Sequence, residues 1–463
     1  MTEPRERATR RAALVAATLS SFLTPFMGSA TNLAMPSIGA ELGLDAVQLG
    51  WVPTAYLLAA AMFLVPFGRL ADIHGRKRVF VSGVIVYTIA SLLCGLSPSG
   101  RFLISSRALQ GTGGSMFFAT SVAILTSVFP ASERGRVLGL NVAAVYSGLS
   151  LGPFIGGLLT QYVGWRSIFL VNVPLGLVVV AFVALRLEGE WAESKGEGFD
   201  LAGSIVYALT LLALMYGFSR LPEALGAGLI VLGLGGFVAF GWWETRVAYP
   251  VLNLELFHRN RAFAFSCLAA LINYGATSAV SFLLSLYLQY IKALSPQQAG
   301  LVLIAQPVFQ ASCSPLAGRL SDRIEPRIVA SVGMALTAIG LSLLVLVTFE
   351  TPLWAIIGIL VVLGIGFALF SSPNMNAIMS SVAKRYYGVA SGTAATMRLL
   401  GQMASMGIAT LLFALFIGRV EITEAVYPQF MASMKAALTI FSALCLGGIG
   451  ISLTRGSVRV KHE

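Results

Sequence analysis

The sequence predicts an all-α polytopic membrane protein: two six-helix halves plus two extra linker helices, about 14 transmembrane helices in all. Three observations carry this expectation. The 463 residues are 57% apolar and 11% charged, with a mean hydropathy of +0.82, whereas about a quarter of a soluble chain is charged. The apolar residues fall into runs of about 20, the length at which a helix rising 1.5 Å per residue crosses a hydrocarbon core of roughly 30 Å. Finally, a charged turn between two such runs, beginning at Gly68, recurs at Gly318.

Taken in order, residues 1–11 carry Arg5, Arg7, Arg10 and Arg11 and form a basic tail. The apolar run 12–36 exceeds the about 7–15 residues of a signal peptide's apolar region, so it is a first span. Runs 48–68, 79–98, 102–128, 137–162 and 167–187 complete an N-terminal half, 12–187. The linker 188–260 holds two further spans, 200–219 and 225–243. A C-terminal half, 261–454, has spans 261–290, 297–318, 328–347, 353–380, 389–417 and 432–454, with a tail at 455–463. An even number of spans puts both termini on one side. Placing them in the cytoplasm sends most of the 31 Lys and Arg to inner loops, the usual positive-inside bias, and the membrane expected is the cell (plasma) membrane.

The net charge of +11 is spread over many short loops, so it reports topology and not a nucleic-acid surface. Cys94, Cys267, Cys313 and Cys445 lie inside apolar runs and read as small buried hydrophobes without metal-ligand spacing. The chain shows no H-E-x-x-H and no acidic pair, which argues against an enzyme. No cofactor is expected beyond exchanged protons. The expected partners are the lipid bilayer and a small amphipathic substrate, and the expected state is a monomer.

The first turn reads Gly68-Arg69-Leu70-Ala71-Asp72-Ile73-His74-Gly75-Arg76-Lys77-Arg78; Gly68, Arg69, Leu70 and Asp72 recur as Gly318, Arg319, Leu320 and Asp322. Gly135, Gly139 and Gly148 likewise pair with Gly388, Gly392 and Gly401. Spans 1–6 therefore correspond to spans 9–14, leaving spans 7 and 8 as an inserted pair. The turn resembles the signature loop of the major facilitator superfamily. The 14-span layout resembles that family's drug/proton antiporter branch, with the phrases Trp165-Arg166-Ser167-Ile168-Phe169, Phe199-Asp200 and Pro250-Val251-Leu252 at its junctions. The resemblance implies the major facilitator fold and a transporter working by alternating access.

The motifs carry specific expectations. Gly68 and Gly75 permit close backbone approach, and Asp72 can pair with Arg69, Arg76 or Arg107 or cap a helix. The resemblance assigns this loop to gating: locking the cytoplasmic side when the outer side is open, against the start of span 13. The alternative is a charged hairpin that keeps the loop out of lipid. Arg107, in Arg107-Ala108-Leu109-Gln110, stands in an apolar segment. A charge there costs at least about 2.5–3.5 kcal/mol, so it should face a cavity or a partner, or snorkel. Gly148, Gly152, Pro153, Gly156 and Gly157 in span 5 suit close helix packing and a bend; they also resemble the signature of exporters. Polar and aromatic candidates for a central cavity are Phe26, Asn32, Gln110, Phe117, Tyr146, Asn273, Tyr274, Gln306, Asn374, Asn376 and Arg398, any of which can instead serve as interhelical packing.

One departure matters. The family's first span carries an acid where this chain has Met27, and none of the 20 Asp and Glu lies well inside an expected span. Proton coupling normally needs a titratable group within the membrane, so Asp72 with Arg107 is the expected carrier of any coupling. Arg107 and Arg398 without a carboxylate favour neutral or anionic amphiphiles over cations. Export of such compounds is the expected function. A proton-independent facilitator or importer of organic anions is the alternative, and a non-transporting receptor or scaffold a distant one.

Overall fold

The structure, a computed structural model, describes residues 3–251, 257, 260–382 and 387–456. It contains 14 helices long and apolar enough to span a membrane: α1 Thr9–Leu42, α2 Ala46–His74, α3 Arg76–Gly95, α4 Gly100–Val128, α5 Arg136–Tyr162, α6 Arg166–Arg186, α7 Leu201–Arg220, α8 Ala224–Glu244, α9 Arg261–Ile291, α10 Pro296–Arg323, α11 Pro326–Val345, α12 Leu353–Ser380, α13 Val389–Phe416 and α14 Glu424–Thr454. No strand occurs among the described residues. Part of the Pro250-Val251-Leu252 phrase and most of the C-terminal tail lie outside those residues.

Local chemistry sets where these helices begin. The Asp45 carboxylate accepts from the Gln48 amide at 2.8 Å while the Gln48 side chain accepts from the Asp45 amide at 3.2 Å, a reciprocal cap on α2. Ser295 and Gln298 repeat it at the start of α10, and Asn260 caps α9 through the Phe263 amide. Where backbone bonding changes, the spans break: α9 is interrupted after Thr277 and ends in a π-turn at Tyr287–Ile291, and α10 is interrupted at Ile304.

The same pattern of neighbours appears twice. In the first bundle α1 packs on α5, α2 and α3 on α4, and α6 on α3 and α1; in the second α9 packs on α13, α10 and α11 on α12, and α14 on α11 and α9. The face that carries the chain ends is called the terminal face below, the opposite one the distal face.

The contacts joining the bundles concentrate toward the distal face. The Ala46 amide donates to the Val420 carbonyl at 3.0 Å, Ser285 Oγ to the Asn32 carbonyl at 2.6 Å and Gln289 Nε2 to the Leu33 carbonyl at 3.1 Å. Tyr162 OH donates to Gln297 Oε1 at 3.1 Å. The largest apolar core runs through this region, from Met27, Leu33 and Leu49 to Leu283, Ala299 and Phe413. Among the described residues, the hydrogen bonds between the bundles thus gather toward the distal face. The inserted α7 and α8 pack on each other, and α7 lies against both α2 and α13.

Candidate functional site

Deep in the N-terminal bundle, Arg107 is 1% exposed. Its Nε donates to the Val52 carbonyl at 3.3 Å and its Nη1 to Gln110 Oε1, while Gln110 Nε2 donates to Ser91 Oγ at 2.7 Å. The guanidinium also lies 4.6 Å from the Tyr56 ring centre and 5.7 Å from that of Phe169. These partners are all neutral. Carbonyl oxygen, amide oxygen and the negative faces of two rings replace the water that the charge gives up.

Between the bundles, the half-buried Arg398 of α13 sits 4.9 Å from the Phe118 ring centre on α4. Its side chain reaches the Tyr274 hydroxyl, and Tyr274 meets Phe367 edge-on at 5.3 Å. Across the gap, Tyr146 OH lies 3.5 Å from Ser371 Oγ. Phe118, Tyr146, Tyr274, Phe367, Ser371 and Arg398 therefore draw together groups from α4, α5, α9, α12 and α13. The result is a cationic group in an aromatic setting, suited to a flat, amphipathic compound. Phe367 and Ser371 were not legible as site residues, because neither type stands out within an apolar span.

Several expected cavity residues belong to packing. Phe117 is buried against Phe80 and Tyr87, and its neighbour Phe118 is the one that faces the other bundle. Phe26 is 3% exposed and stacks on Phe22; Gln110 is committed to Arg107. Asn273 is wholly buried, with neither side-chain polar atom hydrogen-bonded. Asn32 lies in the distal seal, contributing its backbone carbonyl. Gln306 is half-buried on α10, its backbone carbonyl close to Gly364.

Asn374 and Asn376 lie near the terminal end of α12, not at the centre. Asn374 Nδ2 donates to the Ser266 carbonyl at 3.0 Å and Asn376 Nδ2 to Ser321 Oγ at 3.1 Å. Asn374 Oδ1 accepts from Arg455 Nη1 at 2.7 Å. Arg455, just beyond α14, is 1% exposed, and its Nε and Nη2 have no hydrogen-bond partner. Burial pushes its guanidinium down to about 10, against the pull of the Glu325 carboxylate.

The glycines of α5 divide into two sets. A Cβ on Gly148 would come 2.5 Å from the Phe22 carbonyl oxygen, one on Gly152 2.6 Å from Ser29 Cβ, and one on Gly156 2.6 Å from Ala30 Cα. These three hold α5 against α1 within one bundle. Gly157 instead faces the other bundle, where a Cβ would meet the Pro296 carbonyl oxygen at 2.6 Å, and the Pro153 carbonyl lies against Gly300. One helix thus serves both the fold and the seal.

The charged loop sits at the terminal face. Arg76 donates from Nε to Asp72 Oδ1 at 2.9 Å, and from Nη1 to Ser127 Oγ at 2.8 Å and Glu193 Oε1 at 2.7 Å. Gly75 adopts φ +116°, where a side chain would be strained, and the Glu190 carboxylate packs against it. Glu190 Oε1 accepts from the Lys77 amide at 2.8 Å, Glu197 Oε2 from Arg69 Nη2 at 2.5 Å, and the Asp72 carbonyl from the Ser194 amide at 2.9 Å. What clasps the loop is an acidic strap, residues 190–197 of the linker; the start of α13, the expected partner, makes none of these bonds. A Cβ on Gly68 would come 3.8 Å from Ala119 Cβ. In the second copy of the turn Asp322 is exposed at the end of α10.

Asp72 and Arg107 do not meet. Arg76, bonded to Asp72, touches Ser127, and Arg107 lies twenty residues back along the same helix, roughly 30 Å away at 1.5 Å per residue. The expected joint role in coupling has no contact behind it.

Residues 17–200 and 266–456 match the Major Facilitator Superfamily. The chain is 32% identical over 430 residues to the riboflavin transporter RibZ of Clostridioides difficile, covering 93% of this chain and 92% of that one. It is 31% identical over 404 residues to the multidrug resistance protein Stp of Mycobacterium tuberculosis, covering 86% and 74%. Among solved structures it resembles a POT family transporter in complex with a thioalcohol-conjugated peptide, at a TM-score of 0.72, 15% identity and 96% coverage of both chains. With its duplicated bundles and 14 spans, the chain belongs to the Major Facilitator Superfamily and is a membrane transporter, not an enzyme.

Proposed function

We propose that this transporter exports small amphipathic compounds, neutral or anionic in preference to cationic, across the cell membrane, with its terminal face in the cytoplasm. The observation that carries the reading is Arg398 beside Phe118, Tyr274 and Phe367 between the bundles. Aromatic faces take an apolar body, and a half-buried guanidinium takes a carbonyl, phenolate or carboxylate head. Two relatives, a riboflavin transporter and a multidrug resistance protein, support aromatic or mixed cargo. The resemblance of the α5 glycines to the exporter signature supports the direction.

The layout supports alternating access. Distal contacts joining α1 to α9, α2 to α13 and α5 to α10 are broken as the bundles rock, and the terminal ends close in exchange. Thermal shift of the purified protein over cationic, neutral and anionic amphiphiles tests the substrate class, with riboflavin among the neutral ligands. Stabilisation confined to quaternary ammonium compounds would contradict it.

A second reading, proton-independent facilitated movement or uptake of organic anions, is favoured by the neutral partner set of Arg107. Counterflow in proteoliposomes separates the two. Acceleration by an imposed pH gradient supports proton exchange, and indifference to it supports facilitated movement.

A further inference from the structure

Two seams run between the bundles, α2 with α13 on one side and α5 with α10 on the other, and the structure treats them differently. Over its inner stretch, from Leu58 to Leu70, α2 has no exposed residue. Leu58, Ala61 and Leu64 form one apolar cluster with Leu399 and Met403 of α13, Tyr207 and Leu211 of α7 and Phe240 of α8. Tyr207 OH donates to the Ala61 carbonyl at 3.3 Å. The inserted pair therefore covers this seam.

Among the described residues, the α5–α10 seam has no such cover. Its helices touch at the distal end, through Gly157 with Pro296 and Pro153 with Gly300. Toward the terminal face they expose apolar side chains: Val142 is 50% exposed on α5, Phe309 40% and Leu316 63% on α10. Val142 and Tyr146 are one helical turn apart and share a face, and Tyr146 is the residue that reaches Ser371 across the gap. The uncovered stripe is thus continuous with the site around Arg398.

We propose that substrate enters this site sideways, out of the membrane leaflet at the terminal face, through the gap between α5 and α10, and that α7 and α8 seal the matching gap between α2 and α13. The proposal rests on the amphipathic substrate class argued above. Aliphatic walls let an apolar body pass without desolvating polar groups. Arg398 lies at the inner end of this route. The two halves of the repeat alone would leave two equivalent doors; the insertion leaves one.

The test uses the full chain in phosphatidylcholine proteoliposomes, with 8-anilinonaphthalene-1-sulfonate as an anionic amphiphile. Photoreactive benzoylphenylalanine replaces Phe309 in one preparation and Phe63 of α2 in another. At least fivefold more phospholipid adduct at position 309 is expected, and equal yields, or more at 63, overturn the asymmetry. Val142→Trp combined with Leu316→Trp, which narrows the gap, should slow export of the dye about tenfold while its binding to the detergent-solubilised protein, read by thermal shift, is unchanged. The control pair Val231→Trp and Val238→Trp, on the exposed face of α8, should transport at the wild-type rate. Wild-type rates in the narrowed variant, or equal slowing in the control, overturn the route. Should the wild-type protein neither bind nor move the dye, the substrate class fails, and the adduct yields still decide whether the seam is open to lipid.

Discussion

Arg76 Nη1 donates to the Glu193 carboxylate at 2.7 Å, and through that bond the linker between the bundles holds the charged loop of the first bundle. Glu193 is 68% exposed on its side chain, so this one pair contributes under about 1 kcal/mol. The strap acts as a set with Glu190 and Glu197. Glu193→Gln alone should shift the balance between terminal-open and distal-open forms less than about fivefold. Glu190→Gln, Glu193→Gln and Glu197→Gln together should favour the distal-open form by tenfold or more, as the loop is released. Distances between spin labels on the terminal ends of the bundles, measured by pulsed electron resonance, check this; an unchanged distribution in the triple variant would mean that the strap is only a tether.

Arg107 is held by an orientation-specific set of neutral partners. A lysine ammonium is a compact, strongly hydrated charge and cannot reproduce the planar stacking on Tyr56 while bonding both Val52 and Gln110. Arg107→Ala and Arg107→Lys should each lose at least tenfold in transport while inserting normally. Flux and membrane abundance measured side by side decide it, and full activity in the lysine variant would show that charge alone suffices.

On the proposed reading, Arg398 sets the charge preference. Replacing it removes a positive charge from between the bundles while leaving Phe118, Tyr274 and Phe367 in place. Arg398→Gln should weaken binding of anionic amphiphiles about tenfold and leave neutral ones within about threefold. Titration calorimetry or thermal shift reads this difference, and equal losses for both classes would point to a packing role.

The two sets of glycines on α5 separate folding from state. Gly148→Val forces α5 off the Phe22 carbonyl within one bundle, an overpacking that costs about 1–3 kcal/mol, so it should lower the melting temperature. Gly157→Ala meets the Pro296 carbonyl of the other bundle. It should leave the fold stable and weaken the distal seal, exposing a cysteine placed there to water-soluble thiol reagents. A melting loss in Gly157→Ala as large as that of Gly148→Val would erase the distinction.

Arg455 should cost stability. Its folded pKa of about 10 lies below the ordinary arginine value, so the charged form is disfavoured on folding. That cost is constant at every pH below about 10 and is relieved only as pH rises through it. At neutral pH the group is charged, with two of its three nitrogens lacking a hydrogen-bond partner. Arg455→Met should therefore match or exceed wild-type thermal stability, as replacement of a buried charge by an apolar residue often does. A fall of more than about 5 °C at pH 7 would show that its bonds to Asn374 and Ser266 outweigh the burial.

Sequence legibility differed sharply from residue to residue. Arg398 and Tyr274 were legible as candidates because a charge or a hydroxyl within an apolar span needs a reason. Phe118 could not be separated from Phe117, nor Asn374 from a central residue. The strap was missed altogether: Glu190, Glu193 and Glu197 read as an ordinary acidic linker, since nothing local relates them to a loop more than a hundred residues earlier.

The number of spans, the duplicated plan, the inserted pair and the presence of Arg107 within a membrane segment followed from the chain alone. A bilayer demands a full length of satisfied backbone and apolar side chains from each crossing, and both are local, countable properties. Which face carries the bonds between the bundles, which seam is covered, which aromatic of an adjacent pair faces the other bundle and what clasps the Asp72 loop were decided only in three dimensions. Those outcomes depend on the rotation of each helix about its axis and on contacts between distant segments, where differences of a few kcal/mol choose between arrangements that hydropathy cannot tell apart.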